Sequence, residues 1–324
     1  MSRSVSYRCF FLVLTAGLLY GDLIINRPLA GYVVGAGGVE LRAIYGVPGS
    51  FQFGDPIPLP EGVTRVHLAP WQDFAVAERG EAGLAILFLK SGAVDRVVAV
   101  NGGLPGADWV AFSPAGRSAV LYSSSANRLQ IVTGLPDAPS VTLDLDAAVQ
   151  PETPRTAGVS DDGKTLLMAS ATAVYLVRPG ASAQLVLSGG DIPSVAFLRN
   201  RVDAVVLDRG AGSIHLLQNL DSAPAARLLA VGLDGVGRIF PAWDGESVFV
   251  SRPGAMELSS VDLASGLLRD FPSTVAPVKL IPLRNRDTFL ISAKPGQPGW
   301  IFFQDGNTGR AVAILAAPPA VEQK

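Results

Sequence analysis

The sequence predicts an all-β fold, a seven-bladed β-propeller with four-stranded antiparallel blades. Three observations lead to this prediction: similar segments recur along the chain, each holds short apolar strands separated by tight turns, and no segment of the body has a long helical pattern. Six copies align on Pro70, Pro114, Asp161, Leu198, Pro241 and Pro282, at steps of 44, 47, 37, 43 and 41 residues. A period of about 42 residues is typical of a blade with four strands.

The composition favours a large buried sheet structure and excludes one class of partner. Charged residues make up 17% of the 324 residues, below the roughly 25% of an average soluble protein, and hydrophobic residues make up 48%. The net charge is −2 and no run of lysines or arginines is present. A nucleic-acid partner is therefore not expected, because binding to phosphates needs a basic patch.

The N-terminal segment has the pattern of a secretory signal peptide. In residues 1–21, "MSRSVSYRCFFLVLTAGLLYG", two arginines precede an apolar run from Cys9 to Tyr20. This run of about 12 residues is shorter than the roughly 20 that a membrane-spanning helix needs, and no later segment is long and apolar enough to span. Residues 22–28 are a short linker. We expect export to the periplasm or secretion, whether the signal is cleaved or remains as an N-terminal anchor.

The body, residues 29–317, is predicted to be a single propeller domain, followed by a disordered tail at 318–324. Residues 29–60 contain three strand-like pieces, "GYVVGAG", "VELRAIYGV" and "SFQFGDPIP", which we interpret as a seventh, N-terminal blade. A six-bladed ring with an N-terminal extension is the alternative. The predicted blades span approximately 29–60, 62–101, 107–146, 153–189, 191–232, 234–273 and 275–317.

Several turns resemble those of known propeller families. The segments "FSPAGRSAVL" and "VSDDGKTLLM" resemble the turn of WD40-like and TolB-type (PD40) repeats, and "VDLASGLLRDF" resembles that of YVTN and quinoprotein repeats. The fourth copy departs from this pattern with "LRNR". The similarity covers about residues 62–317, and the whole chain resembles exported bacterial propellers with no assigned activity. It implies the fold and little about function, because the matching residues are turn formers.

The glycines of "GYVVGAGGVE" are predicted to form a hairpin turn and not a cofactor site. A dinucleotide fingerprint would need a third glycine at position 40, which is Glu40, and a helix after it, whereas "LRAIYGVPG" has the pattern of a strand. The four tryptophans, at positions 71, 109, 243 and 300, do not recur at one place in the repeat, as docking of a quinone cofactor would require. We therefore expect no cofactor.

No catalytic or metal-binding motif stands out in the sequence. The only cysteine, Cys9, lies in the signal segment, so an exported body would have no thiolate ligand or nucleophile. The two histidines, His67 and His215, are far apart, and no Gly-x-Ser-x-Gly elbow is present. The sequence accordingly predicts no catalytic residue and no metal site.

Candidate ligand-binding residues were chosen by position, because propellers bind ligands where the innermost strands converge on the central channel. The residue three positions before each of the six anchors is, in order, His67, Ala111, Gly158, Val195, Arg238 and Lys279. The basic ones would share one arc of the ring if the N-terminal blade lies between the last copy and the first, and that arc could hold an anion. The alternative is that each of them pairs with a neighbouring carboxylate or faces solvent. Four further candidates begin or precede inner strands, with turn formation or packing as the alternative role: Asp108, Trp109, Arg155 and Asp191.

These observations favour a monomeric extracytoplasmic module that binds or scaffolds a protein, peptide or glycan. The enzymatic alternative is a hydrolase or lyase of the lactonase or glycan type, with carboxylates and a divalent cation at the channel mouth. A third possibility, by analogy of fold alone, is a structural member of an envelope complex. The enzyme would need several carboxylates or amides in one mouth, whereas a binding module would show few carboxylates and an apolar or aromatic surface.

Overall fold

The computed structural model describes residues 28–35, 37–278, 280–291, 299–305 and 308–315. The predicted signal peptide and the C-terminal tail lie outside these residues. Within them, the chain forms 27 strands and three single turns of 3-10 helix, which confirms the all-β prediction. No helix in this part of the chain is long and apolar enough to cross a membrane.

The first three strands form an N-terminal unit, and the other 24 form six repeats of four strands each. In each repeat the strands pair antiparallel in sequence order. The N-terminal unit contains β1 (Leu29–Val34), β2 (Leu41–Val47) and β3 (Ser50–Ile57). Repeat 1 contains β4 (Arg65–Leu68), β5 (Phe74–Glu78), β6 (Leu84–Lys90) and β7 (Ala93–Val100); repeat 2 contains β8 (Trp109–Phe112), β9 (Ser118–Ser123), β10 (Arg128–Thr133) and β11 (Ser140–Asp146).

The remaining repeats have the same plan. Repeat 3 contains β12 (Thr156–Val159), β13 (Leu166–Ala169), β14 (Ala173–Val177) and β15 (Gln184–Ser188); repeat 4 contains β16 (Ser194–Phe197), β17 (Ala204–Asp208), β18 (Ser213–Gln218) and β19 (Ala225–Ala230). Repeat 5 contains β20 (Ile239–Pro241), β21 (Ser247–Arg252), β22 (Glu257–Asp262) and β23 (Leu268–Pro272); repeat 6 contains β24 (Leu280–Pro282), β25 (Thr288–Ile291), β26 (Trp300–Asp305) and β27 (Thr308–Leu315). From repeat 2 to repeat 5 the first strands contact each other, since β12 contacts β8 and β16, and β16 contacts β20. Residues of the first strands of all six repeats line one central channel.

Seven apolar clusters hold neighbouring units together around the ring. Each cluster joins two consecutive units, so the N-terminal unit packs on repeat 1 on one side and on repeat 6 on the other. Tyr32 and Leu41 are fully buried against repeat 1, and Phe51 is buried against Ile301 and Ile314 of repeat 6. The three N-terminal strands therefore lie within the ring and not outside it as an extension.

The prediction of seven separate four-stranded blades needs correction. Repeats 1–5 are separate four-stranded sheets, but repeat 6 and the N-terminal unit form one seven-stranded sheet. The physical reason is a short parallel pairing in which Ile314 lies opposite Phe51 and Leu315 opposite Gln52. The last strand, after a full circuit of the ring, thus extends along the edge of β3, and the N-terminal unit contributes only three strands among the described residues.

The loop in "GYVVGAGGVE" is a hairpin, as predicted, because β1 pairs antiparallel with β2 across residues 35–40. Gly31, within β1, permits a close approach of two other units. A Cβ at this position would lie 2.4 Å from Oε1 of Gln72 and 2.9 Å from Cδ2 of Leu283. The fully buried Gln72 side chain accepts a hydrogen bond from the Tyr32 N–H (2.6 Å) and donates to the carbonyl oxygens of Tyr32 (3.1 Å) and Pro282 (2.8 Å). One side chain thereby joins repeat 1, the N-terminal unit and repeat 6.

The turn after each first strand is closed by a hydrogen bond from the N–H of residue i to the carbonyl oxygen of residue i+5. The first residues of these equivalent turns are Ala69, Ser113, Ser160, Leu198, Ala242 and Leu283. With repeats 1–3 as the reference, the anchor residues of the sequence alignment are displaced from this hydrogen-bond register by one residue in repeat 4 and by two residues in repeats 5 and 6. The positions equivalent to His67 are consequently Ala111, Gly158, Ala196, Phe240 and Ile281. Arg238 and Lys279 precede that register by two residues, so the three basic candidates do not occupy equivalent positions.

Candidate functional site: the central channel

A cavity of about 330 Å³ occupies the central channel. Its walls come from the first strands and the following turns of the repeats, and they are mainly apolar, with contributions from Ala111, Phe112, Val195, Ala196, Ile239 and Phe240. Small-molecule sites in proteins are usually apolar cavities of this size range that carry a few convergent polar groups. Asp287 is the only carboxylate that lines this cavity among the described residues.

Two tryptophans and an arginine from three different repeats meet at the turn end of the channel. Trp71 of repeat 1 contacts Trp243 of repeat 5 edge to face, with ring centroids 3.8 Å apart. The guanidinium carbon of Arg199, in repeat 4, lies 4.1 Å from the Trp71 centroid and 4.0 Å from the Trp243 centroid. We call these three residues the Trp–Arg–Trp cluster. All three line the cavity, so the turns of well-separated repeats converge over the channel.

Hydrogen bonds between repeats fix the turns that carry the cluster. Asp287 of repeat 6 accepts a hydrogen bond from the Trp243 N–H (2.9 Å), and Arg201 of repeat 4 donates to the carbonyl oxygen of Gly245 (2.6 Å). The Gln72 side chain, next to Trp71, is anchored to two other units as described above. A second guanidinium, that of Arg286, lies 5.1 Å from the Trp243 centroid. The cluster is therefore held by backbone contacts and not only by its own packing.

Burial shifts the pKa values of two ionisable groups in the cavity wall. Burial raises the pKa of the Asp287 carboxyl above its usual value, aided by the Asp244 carboxylate and opposed by the Trp243 N–H and by Arg286. Burial lowers the pKa of the Arg199 guanidinium; Asp161 opposes this shift and Arg286 reinforces it. An arginine nevertheless remains cationic at neutral pH, so the cluster carries a positive charge in apolar surroundings.

The structure describes six of the seven candidate residues from the sequence, and of these Arg238 lines the cavity. Arg238 is exposed and directly precedes β20. His67 instead pairs with the buried Glu78, at 2.8 Å between Nε2 and Oε1, and Arg65 Nη1 lies 3.8 Å from the same oxygen. Lys279 lies outside the described residues.

The other candidates make contacts within and between repeats. Asp108 accepts a hydrogen bond from the Ser124 N–H (2.6 Å), and hydrogen bonds from Ser124 lower the pKa of its carboxyl. Trp109 stacks on Tyr122 with centroids 5.4 Å apart. These contacts agree with the alternative of turn formation and packing.

Arg155 and Asp191 belong to an ion-pair group at the entry to the inner strands. Asp191 contacts Arg155 Nη1 at 3.0 Å and Arg209 Nη2 at 2.6 Å. Its charge is thereby compensated by two guanidinium groups. Among the residues with described positions, no group of three or more histidine, cysteine or acidic side chains is arranged to hold a metal ion.

Four residues of the cavity wall are not among the candidates predicted from the sequence: Trp71, Arg199, Trp243 and Asp287. Each of these four residues lies in the turn that follows a first strand, whereas the candidates predicted from the sequence precede the anchor residues in the chain. One signal was present: "LRNR" occurs twice, at 198–201 and at 283–286, in the equivalent turns of repeats 4 and 6. The same turns of repeats 1 and 5 each carry a tryptophan.

Comparisons with known proteins support the fold. No family model and no curated protein matches the chain, so the resemblance to WD40-like, TolB-type and YVTN repeats stays a prediction. The structure is similar to that of the periplasmic gluconolactonase PpgL from Pseudomonas aeruginosa, at 16% identity and a TM-score of 0.58, over 89% of this chain and 94% of that one. A functionally unknown protein from Desulfotomaculum acetoxidans is similar at 15% identity and a TM-score of 0.60, over 89% and 100% of the two chains.

A third similar structure is a Bacteroides fragilis protein provisionally named a 6-phosphogluconolactonase, with 14% identity and a TM-score of 0.57, over 88% of this chain and 92% of that one. At these identities the similarity shows a shared β-propeller fold and does not transfer an activity.

Proposed function

We propose that this chain is an exported, monomeric binding module that takes an apolar group of its ligand into the central channel. The observation that carries the proposal is the cavity itself, with apolar walls, two tryptophans and one carboxylate among its described lining residues. Export is part of the proposal and depends on the signal pattern of residues 1–21.

The apolar walls of the cavity distinguish among the three partner classes that the sequence suggests, which are a protein, a peptide and a glycan. A glycan would bring many hydroxyl groups into the channel, and each hydroxyl that loses water needs a polar partner. The side chains of Ala111, Val195, Ala196 and Ile239 provide no such partner, and apolar lining residues outnumber polar ones such as Thr156 and Ser194. An apolar side chain of a protein or peptide, or a small apolar molecule, fits these walls better.

The test is a calorimetric titration of the protein with 1-octanol, a neutral apolar probe. We expect saturable binding to the unmodified protein and its loss in Ala196→Phe, because the added ring would fill the channel. Ala226→Phe is the matched control, since Ala226 is exposed on the outer strand β19. Equal binding by both variants would place the probe elsewhere and refute the proposal.

A second candidate function, lactone hydrolysis, is favoured by one observation, the raised pKa of the Asp287 carboxyl in the cavity wall. A carboxyl of this kind can act as a general acid or base: its carboxylate would remove a proton from water as the water adds to the lactone carbonyl, and would return that proton to the ring oxygen as the ring C–O bond breaks. Gluconolactone hydrolysis tests this candidate. Catalysis that Asp287→Asn abolishes would favour it over simple binding, as would a rise of Tm with calcium or magnesium that a chelator reverses.

A further inference from the structure

Among the residues that the structure describes, none accepts a hydrogen bond from the Arg199 guanidinium. Its Nε is buried without a hydrogen-bond partner, and the hydrogen bonds and ion pairs formed among the described residues include none from this side chain. Other arginines have acceptors: Arg178 donates to the Leu220 carbonyl oxygen and Arg227 to that of Leu263. Unsatisfied buried donors are costly, so Arg199 differs from the arginines that join repeats.

The two indole rings explain how the cation is held there but leave its donors unused. Stacking of a guanidinium on an aromatic face stabilises the charge through the ring face and restricts the orientation of the planar group. Arg199 lies about 4 Å from both ring centroids of its cluster. The two ring planes are nearly perpendicular (86°), so the guanidinium cannot lie flat on both, and a ring face is only a weak acceptor for an N–H group. The side chain lines the cavity.

Nearby carboxyl groups do not neutralise Arg199 by direct contact. Asp161 attracts it electrostatically, but Asp161 Oδ1 accepts a hydrogen bond from the Ala115 N–H (2.7 Å). Asp287 accepts a hydrogen bond from the Trp243 backbone N–H (2.9 Å) and forms no ion pair with Arg199. These two groups also make the surroundings unfavourable for a multiply charged anion.

From these observations we infer that the channel binds a small monocarboxylate with an apolar body, whose carboxylate accepts hydrogen bonds from Arg199. This inference rests on the proposed function, because it needs the apolar body to occupy the cavity. A carboxylate matches the planar fork of a guanidinium and can accept two parallel hydrogen bonds from it. Its single charge matches the single guanidinium that lies against both indole rings.

The test compares octanoate with 1-octanol, which share an eight-carbon chain and differ in the charged group. We expect the unmodified protein to bind octanoate about tenfold more tightly than octanol, as one charge-assisted hydrogen-bonded pair in an apolar site would give. Arg199→Met should abolish the preference for octanoate over octanol, because burial of a carboxylate without a cationic partner is unfavourable. Arg117→Met is the control, since Arg117 is exposed in the equivalent turn of repeat 2.

Two further variants keep the inference falsifiable. Arg199→Lys retains the charge without the planar fork, so the preference for octanoate should fall to a few-fold. Loss of octanol binding in both Arg199 variants would mean that Arg199 only supports the tryptophan pair, and would overturn the inference. If Arg238→Met removes the preference and Arg199→Met does not, the anion site belongs to Arg238.

The outcomes separate the two proposals. Equal binding of octanoate and octanol by the unmodified protein would refute carboxylate recognition while leaving the channel as an apolar site. Binding of neither probe would refute the proposed function itself.

Discussion

Replacement of Gln72 by methionine tests how the ring is closed between its first and last units. Methionine has nearly the same length and shape as glutamine but neither accepts from the Tyr32 N–H nor donates to the carbonyl oxygens of Tyr32 and Pro282. Gln72→Met therefore leaves one buried donor and two acceptors without these partners, while apolar contact is retained.

The expected loss can be derived from the three hydrogen bonds. A typical intramolecular hydrogen bond contributes about 1 kcal/mol net, and a buried polar group left without a partner costs about 1–3 kcal/mol. Carbonyl oxygens tolerate the loss of one partner better than an N–H group does. We expect the free energy of unfolding to fall by about 3 kcal/mol.

Equilibrium unfolding in urea measures this loss, with Gln184→Met as the control. Gln184 is exposed on the outer strand β15, and substitution there should change the free energy of unfolding by less than about 0.5 kcal/mol. A loss below about 1 kcal/mol for Gln72→Met, at an unchanged dependence on urea, would refute the role assigned to Gln72.

Two further predictions concern the dependence of stability on pH. Burial lowers the pKa of His215 below its usual 6.5, and Asp208 opposes this shift. The folded state therefore binds a proton at His215 less readily than the unfolded state does. The contribution of neutral His215 to the free energy of unfolding is full above pH 6.5 and is lost as the pH falls through the lowered pKa. His215→Gln should make the urea-derived free energy of unfolding fall less between pH 7 and pH 5, and an unchanged slope would contradict this. The raised pKa of Asp287 has the opposite sign: its contribution is full below the usual 3.8 and is lost as the pH rises through the raised value. Asp287→Asn keeps an oxygen for the Trp243 N–H, so it should gain stability relative to the unmodified protein on going from pH 3.5 to pH 7; a constant difference would show that the charge is not penalised.

The repeat architecture was predictable because its signals are local. Strands of three to eight residues and turn-forming residues such as Gly116 and Gly163, both at positive φ, mark the repeats in the sequence itself. Closure of the ring was less predictable, because it depends on the pairing of Phe51 with Ile314 at opposite ends of the chain. Whether such a pairing joins two units into one sheet cannot be determined from either strand alone.

The candidate site was largely unpredictable for a geometric reason. Anchors placed on Pro241 and Pro282 fall two residues from the true register, which is set by turn hydrogen bonds of Ala242 and Leu283. Repeat 4 has no proline or glycine in its turn, so only the recurrence of "LRNR" at 283–286 related Arg199 to another turn of the ring. The meeting of Trp71 with Trp243 joins turns that are far apart in sequence, and only the closed ring brings them together.

A crystal structure of the protein soaked with octanoate is the most direct measurement of the central claim. We expect electron density for the alkyl chain between the first strands of the repeats, and we expect the carboxylate of octanoate within hydrogen-bond distance of the Arg199 guanidinium. An empty channel with octanoate bound on the outer strands, or a carboxylate that contacts another residue while Arg199 stays unchanged between Trp71 and Trp243, would contradict it.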